Sequence, residues 1–159
     1  MILATVAARR ALLDRVKSVA VVGASRNPAR PSYTVFSYLR RQRGYEVTPI
    51  NPTIADIDGV KAYPSLAAYA AEHGPPDVVD VFRRPTHLLG IVNEAIAAGA
   101  KAIWLQYGVV DDAAIAAADR AGLDVVIDRC MKVEHARFHG GLATAGLNSG
   151  LITSRRRAL

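Results

Sequence analysis

The sequence predicts an α/β fold, a Rossmann-like three-layer sandwich around a five-stranded parallel sheet. Two observations carry this. Short, continuous apolar runs rich in β-branched residues recur along the chain, as expected of strands buried on both faces. Segments with helical spacing lie between them, and alternating strands and helices build right-handed βαβ units. The length of 159 residues, with 51% hydrophobic and 21% charged side chains, suits one domain with its own core.

In chain order, residues 4–16 predict a helix before the first strand. That strand is Val19-Ala20-Val21-Val22. Residues 33–43 place Val35, Phe36 and Leu39 on one helical face. Val47-Thr48-Pro49-Ile50 is the second and weakest strand, and residues 65–72 form a short helix capped by Ser65. Val78-Val79 with Val81-Phe82 gives the third strand. Residues 86–98 follow as a helix with Leu88, Leu89, Val92 and Ile96 aligned. Ala102-Ile103-Trp104-Leu105 is the fourth strand. The Ala-rich helix 111–121 opens on Asp111 and Asp112, where carboxylates oppose the helix dipole. Val125-Val126-Ile127 is the fifth. Beyond it, Glu134 and Arg137, three apart, read as an ion pair on a helix surface. The expected strand order is 3-2-1-4-5. The domain spans residues 1–138. The glycines and serines from His139 onward, ending in Arg155-Arg156-Arg157, predict a flexible basic tail over 139–159.

A net charge of +6, carried mainly by arginine, points to a polyanionic partner, either nucleic acid or a small molecule. No aromatic stacking platform is visible, which disfavours nucleic acid. The single cysteine, Cys130, excludes an intramolecular disulfide and fits a reducing compartment. No apolar stretch approaches the roughly 20 residues that span a bilayer. The N-terminal apolar residues precede Arg9-Arg10, the reverse of a signal peptide. The expected location is the cytoplasm, with no membrane partner.

An open parallel sheet binds ligands beyond the C-terminal ends of its strands, where the strand order reverses. With the expected order this point lies between the first and fourth strands. The first loop, Gly23-Ala24-Ser25-Arg26-Asn27-Pro28-Ala29-Arg30-Pro31-Ser32, runs from a strand into a helix, so backbone amides can converge on an anion. Gly23 allows the turn, Ser25 and Ser32 add hydroxyls, and Arg26 and Arg30 add charge. Only the first glycine of G-x-G-x-x-G is present. The second loop, with Asn51 and Pro52, lacks the carboxylate that dinucleotide enzymes place on the ribose about 20 residues after the glycines. Asn51 offers an amide to an adenine or ribose edge instead.

Phe82-Arg83-Arg84 at the third strand end adds cations. Gln106 and Gly108 follow the fourth strand, Gly108 allowing close backbone approach. Asp80, within a strand, is expected to hydrogen-bond a neighbouring loop. Cys130 lies after the fifth strand and reads first as a buried, inert cysteine; the alternative is a thiolate favoured by Arg129 and able to pair with a ligand thiol under oxidation. The spacing C-x₄-H-x₃-H of Cys130, His135 and His139 lacks a clear fourth ligand, so no metal site is assigned. Ser25 lacks a G-x-S-x-G elbow, and no base–nucleophile pair stands out, so no catalytic residue is assigned.

Several segments together resemble a known family. They are Val19-Ala20-Val21-Val22-Gly23-Ala24-Ser25, Arg30-Pro31-Ser32-Tyr33, Gly44-Tyr45-Glu46-Val47 leading to Asn51-Pro52, and Val81-Phe82-Arg83. Gly99-Ala100-Lys101-Ala102-Ile103-Trp104-Leu105-Gln106, Gly108-Val109 and Asp128-Arg129-Cys130 follow in order. Over about residues 16–138 the chain resembles the stand-alone bacterial and archaeal CoA-binding proteins, relatives of the CoA-binding domain of the succinyl-CoA synthetase alpha subunit. The resemblance implies coenzyme A, free or acylated, in the cleft at the strand ends of a non-catalytic binding or regulatory module. It places Gly23, Ala24, Ser25, Arg30 and Ser32 near phosphate, and Asn51 and Pro52 by the adenosine. Phe82, Arg83, Gln106 and Gly108 would lie along the pyrophosphate and pantetheine. With Arg26 and Arg84, the arginines would meet the roughly four negative charges of the ligand. A homodimer fits the family, though no seam shows in the sequence. The alternative expectation is an NAD(P)-dependent oxidoreductase using the same cleft.

Overall fold

The structure is a computed structural model and describes residues 1–144. Five parallel strands form the main sheet: β1 (Ser18–Val22), β2 (Glu46–Ile50), β5 (Val78–Val81), β6 (Ala102–Leu105) and β7 (Asp124–Val126). A two-stranded hairpin, β3 (Asp56–Ile57) and β4 (Val60–Lys61), lies between β2 and β5. The helices are α1 (Val6–Arg15), α2 (Pro31–Arg40), α3 (Leu66–His73), α4 (Leu88–Ala97), α5 (Asp112–Arg120), α6 (Met131–His139) and the short α7 (Gly141–Thr144). A 3₁₀ turn, Pro85–His87, precedes α4.

The cap foreseen at Ser65 is in place, and Asp111 caps a second helix. Ser65 accepts a hydrogen bond from the Ala68 amide at 3.1 Å, and Asp111 accepts one from the Ala114 amide at 2.8 Å. Each satisfies an amide that the first helical turn leaves without a partner.

The parallel sheet and its layers match expectation, but the strand order does not. It runs β2-β1-β5-β6-β7, which in terms of the five sheet strands is 2-1-3-4-5 rather than 3-2-1-4-5. Burial explains the difference. All four residues of β5 are buried, so it needs a strand on each side, and it pairs with both β1 and β6. By contrast β2 carries exposed Glu46 and half-buried Thr48, and Pro49 has no N–H to give to a further strand. A proline inside a strand belongs at an edge. The order therefore reverses between β1 and β5, one strand earlier than expected.

Alternate residues feed two apolar layers. Val19, Val21, Val78 and Trp104 face α1, α2 and α6, together with Leu12, Phe36 and Met131. Ala20, Val79, Ile103 and Val125 face α3, α4 and α5, with Leu66, Val92 and Ile115. This is the period-two pattern of a sheet covered on both sides. Trp104 is fully buried, and its indole N–H reaches the Arg129 carbonyl at 2.8 Å, which ties the end of β7 to β6.

One further expectation is corrected. Glu134 and Arg137 are not on the surface: they are 1% and 2% exposed. Glu134 accepts from Arg137 and, at 2.9 Å, from the Nε of buried Arg9 on α1. The packing of α6 on α1 and α2 buries the pair, and Arg9 supplies the partner that makes a buried carboxylate tolerable. His139 closes α6, and the chain re-enters a helical turn at Gly141. Residues 145–159, with the Arg155-Arg156-Arg157 run, lie outside the described residues. Among the described residues no helix is long and apolar enough to cross a membrane.

Candidate functional site

The chain leaves β1 at Gly23 with φ of 81°, a left-handed conformation that glycine adopts without strain. Its amide donates to the Ile50 carbonyl at 3.1 Å, while the Phe82 amide donates to the Val22 carbonyl at 2.9 Å. The ends of β2, β1 and β5 are thereby drawn together. The first loop then folds on itself. Ser25 Oγ accepts from the Asn27 amide at 3.0 Å, and Asn27 accepts from the Ala29 amide at 2.9 Å. The loop ends at α2, where Arg30 is the N-cap and makes no side-chain capping bond. That helix N-terminus opens on a cleft of about 920 Å³.

Every predicted ligand residue lines this cleft except Arg26 and Pro52: Gly23, Ala24, Ser25, Arg30, Ser32, Asn51, Phe82, Arg83, Gln106 and Gly108 are all there. Arg26 turns outward because the β3–β4 hairpin captures it. Its Nη2 lies 3.1 Å from each Asp56 carboxylate oxygen. Pro52 occupies the exposed turn after Asn51. Asn51 also ties the loops of the cleft together. Its Nδ2 donates to the Ala24 carbonyl at 2.9 Å, and its Oδ1 accepts from the Thr53 amide and hydroxyl. Asn51 thereby staples its own loop to the one after β1.

Arg84 and Cys130 line the cleft too, as do Pro31, Val35, His87, Tyr107 and Val109, which sequence reasoning missed. His87 was hidden by reading 86–98 as one continuous helix. The 3₁₀ turn over Pro85–His87 instead swings its side chain to the cleft rim. Arg30, Arg83 and Arg84 are exposed. Among the described residues none of the three is salt-bridged, in contrast to Arg26. Guanidinium groups beside a helix N-terminus make this rim electropositive.

The floor is different. Gln106 is 5% exposed, and its Nε2 donates to Asp80 Oδ1 at 2.6 Å. Asp80 is fully buried, and burial pushes its carboxyl up to about 7 even though the Gln106 bond pulls the other way. Burial, with the Asp80 charge adding to it, raises the Cys130 thiol, which favours the inert reading over the thiolate. Arg129 gives no help, since its Nη1 bonds the Asp128 carbonyl at 3.2 Å. Gly108 has φ of 75°, and its amide donates to Asp128 Oδ1 at 2.9 Å. His135 and His139 go elsewhere, to Tyr38 and Asp14, away from Cys130 on the cleft.

A family model described as a CoA-binding domain matches residues 17–136. The YneT protein of Bacillus subtilis strain 168 is 42% identical over 125 residues, covering 79% of this chain and 90% of that protein. A protein structure from Pyrococcus horikoshii OT3 superimposes with a TM-score of 0.77 at 40% identity, covering 84% of this chain and 91% of the other. Over 56 residues the chain is 38% identical to the alpha subunit of an ADP-forming acetate–CoA ligase II from Pyrococcus furiosus, 35% of this chain but only 12% of that subunit.

Proposed function

Since the chain belongs to the CoA-binding domain family, we propose that its cleft holds coenzyme A or an acyl-CoA, with the phosphates at the first loop and the N-terminus of α2. The observation that carries this reading is the trio of arginines, Arg30, Arg83 and Arg84, without an ion-pair partner among the described residues, around a glycine turn and a helix N-terminus. A ligand with several phosphate charges is what such a rim neutralises. The cleft runs from Asn51 after β2 to Cys130 after β7, four strand spacings or roughly 19 Å. Its volume of about 920 Å³ is that of a site for a large small molecule.

The role is binding or regulation rather than turnover. Ser25 Oγ is held by the Asn27 amide, and burial keeps the Cys130 thiol protonated, so neither is activated as a nucleophile.

A thermal-shift titration with CoA, acetyl-CoA, NAD, NADP and ATP tests the reading. At about 100-fold excess over the dissociation constant, CoA stabilises by about 2.7 kcal/mol, or roughly 5–10 °C for a chain of this size. A shift with NAD or NADP alone overturns it. In a calorimetric titration, Arg30→Ala and Arg83→Ala each weaken CoA binding roughly ten- to hundredfold, the worth of a charge-assisted hydrogen bond. Affinities within twofold of the wild type would place the phosphates elsewhere.

A further inference from the structure

Asp80 is a buried carboxylate on the central strand β5, and its bonding is incomplete. Oδ1 accepts from Gln106 Nε2 at 2.6 Å, while Oδ2 is buried with no hydrogen-bond partner among the described residues. Native proteins seldom keep such a group without a purpose, because an apolar side chain of similar size would remove the desolvation cost. The structure places it one step below the cleft floor, with Gln106 between it and the ligand space.

The consequence is in the orientation of the Gln106 carboxamide. A carboxylate oxygen only accepts, so the Gln106 NH₂ must face Asp80. Oε1 then becomes the end turned toward the cleft. It has no protein partner among the described residues and is not among the buried unpaired atoms, so it is open to a ligand. Gln106 begins the loop after β6, two strand spacings or roughly 10 Å from the phosphate loop at the end of β1. A ligand whose phosphates sit at Gly23–Ser25 reaches it only with an extended arm.

We infer that Asp80 is a positioning residue that locks Gln106 as a hydrogen-bond acceptor on the cleft floor, selecting a ligand whose arm offers an amide N–H at that point. This rests on the coenzyme A reading, since the pantetheine arm carries two such amides. The burial that raises the Asp80 carboxyl adds a second property. Protonated, Asp80 could also donate its O–H to Gln106 Oε1 and so hold the carboxamide turned over; the lock is therefore firmest when Asp80 is ionised.

The test measures CoA and the same nucleotide without its arm, 3′-phosphoadenosine 5′-diphosphate, on four proteins at pH 8: wild type, Asp80→Val, Gln106→Leu and the double variant. The valine suits a strand and removes a buried ionisable group; if it does not fold, Asp80→Ala carries the same test. On wild type, CoA binds more tightly than the armless nucleotide. In Asp80→Val that preference falls roughly fivefold to tenfold, the worth of one hydrogen bond. Gln106→Leu loses at least as much, and the double variant loses no more than Gln106→Leu alone, because Asp80 acts only through Gln106. A merely structural Asp80 would shift both ligands together or change melting temperature without changing the preference, and either result overturns the inference. Additive losses in the double variant overturn it as well. Failure of both ligands to bind wild type would instead overturn the coenzyme A reading beneath it.

Discussion

Replacing Gly23 with alanine abolishes ligand binding and destabilises the fold by about 2–5 kcal/mol. Two costs add. Gly23 has φ of 81°, and a side chain in that left-handed region costs roughly 1–2 kcal/mol. The added Cβ would also lie 2.5 Å from the Phe82 carbonyl oxygen and 2.8 Å from Arg83 Cδ. The first of these is backbone and cannot swing aside, so β5 and the first loop must part, at an overpacking cost of about 1–3 kcal/mol. The same movement displaces Arg83 from the electropositive rim and spreads the amides of the loop. Urea unfolding reads the stability change as a lower midpoint at unchanged slope. A variant with wild-type midpoint and affinity would mean that the turn is not the close junction described.

Asp80→Asn makes the protein more stable than wild type, by an amount that depends on pH. Burial raises the Asp80 carboxyl from its ordinary 3.8 to about 7. Between those values the unfolded chain has released its proton while the folded chain still holds it. Wild-type stability through this group is therefore full below about pH 4, falls as pH rises, and levels off above about 7. Asparagine keeps the carbonyl that Gln106 needs and never ionises. The difference between variant and wild type should grow from near zero at pH 4 to at most about 4 kcal/mol at pH 8. His135, lowered to about 4 mainly by burial, pulls the other way, since its stability is present above the ordinary value of 6.5 and lost as pH falls toward 4. It is common to both proteins and cancels in the difference. Parallel stability curves for the two proteins would show that Asp80 ionises as freely when folded as when unfolded.

Much of the site was legible because one rule locates it. Once the apolar runs at Val19–Val22, Val78–Val81 and Ala102–Leu105 are taken as parallel strands, the loops after them are expected to line the cleft, and they do. The loops themselves display the glycine, hydroxyls and arginines that bind anions. What was misread depended on pairings that sequence does not display. Arg26 stands in the right loop but is captured by Asp56 from a hairpin whose strands are two residues each. Its turn, Asp58-Gly59, was the available signal, with φ of 50° and 80° as two-residue hairpins require. Glu134 looked exposed because its i,i+3 partner is local, whereas Arg9 lies 125 residues away. The strand order went wrong at Pro49, which announces an edge strand and was outweighed by the apolar residues around it.

The structure of the chain crystallised with coenzyme A tests the central claim most directly. The account predicts the pyrophosphate against the Gly23–Ser25 loop and the first turn of α2, contacted by Arg30 and Arg83. The pantetheine arm should cross Phe82 to place an amide N–H on Gln106 Oε1. Coenzyme A bound outside this cleft, or in it with its phosphates at the Gln106 end, would contradict the account.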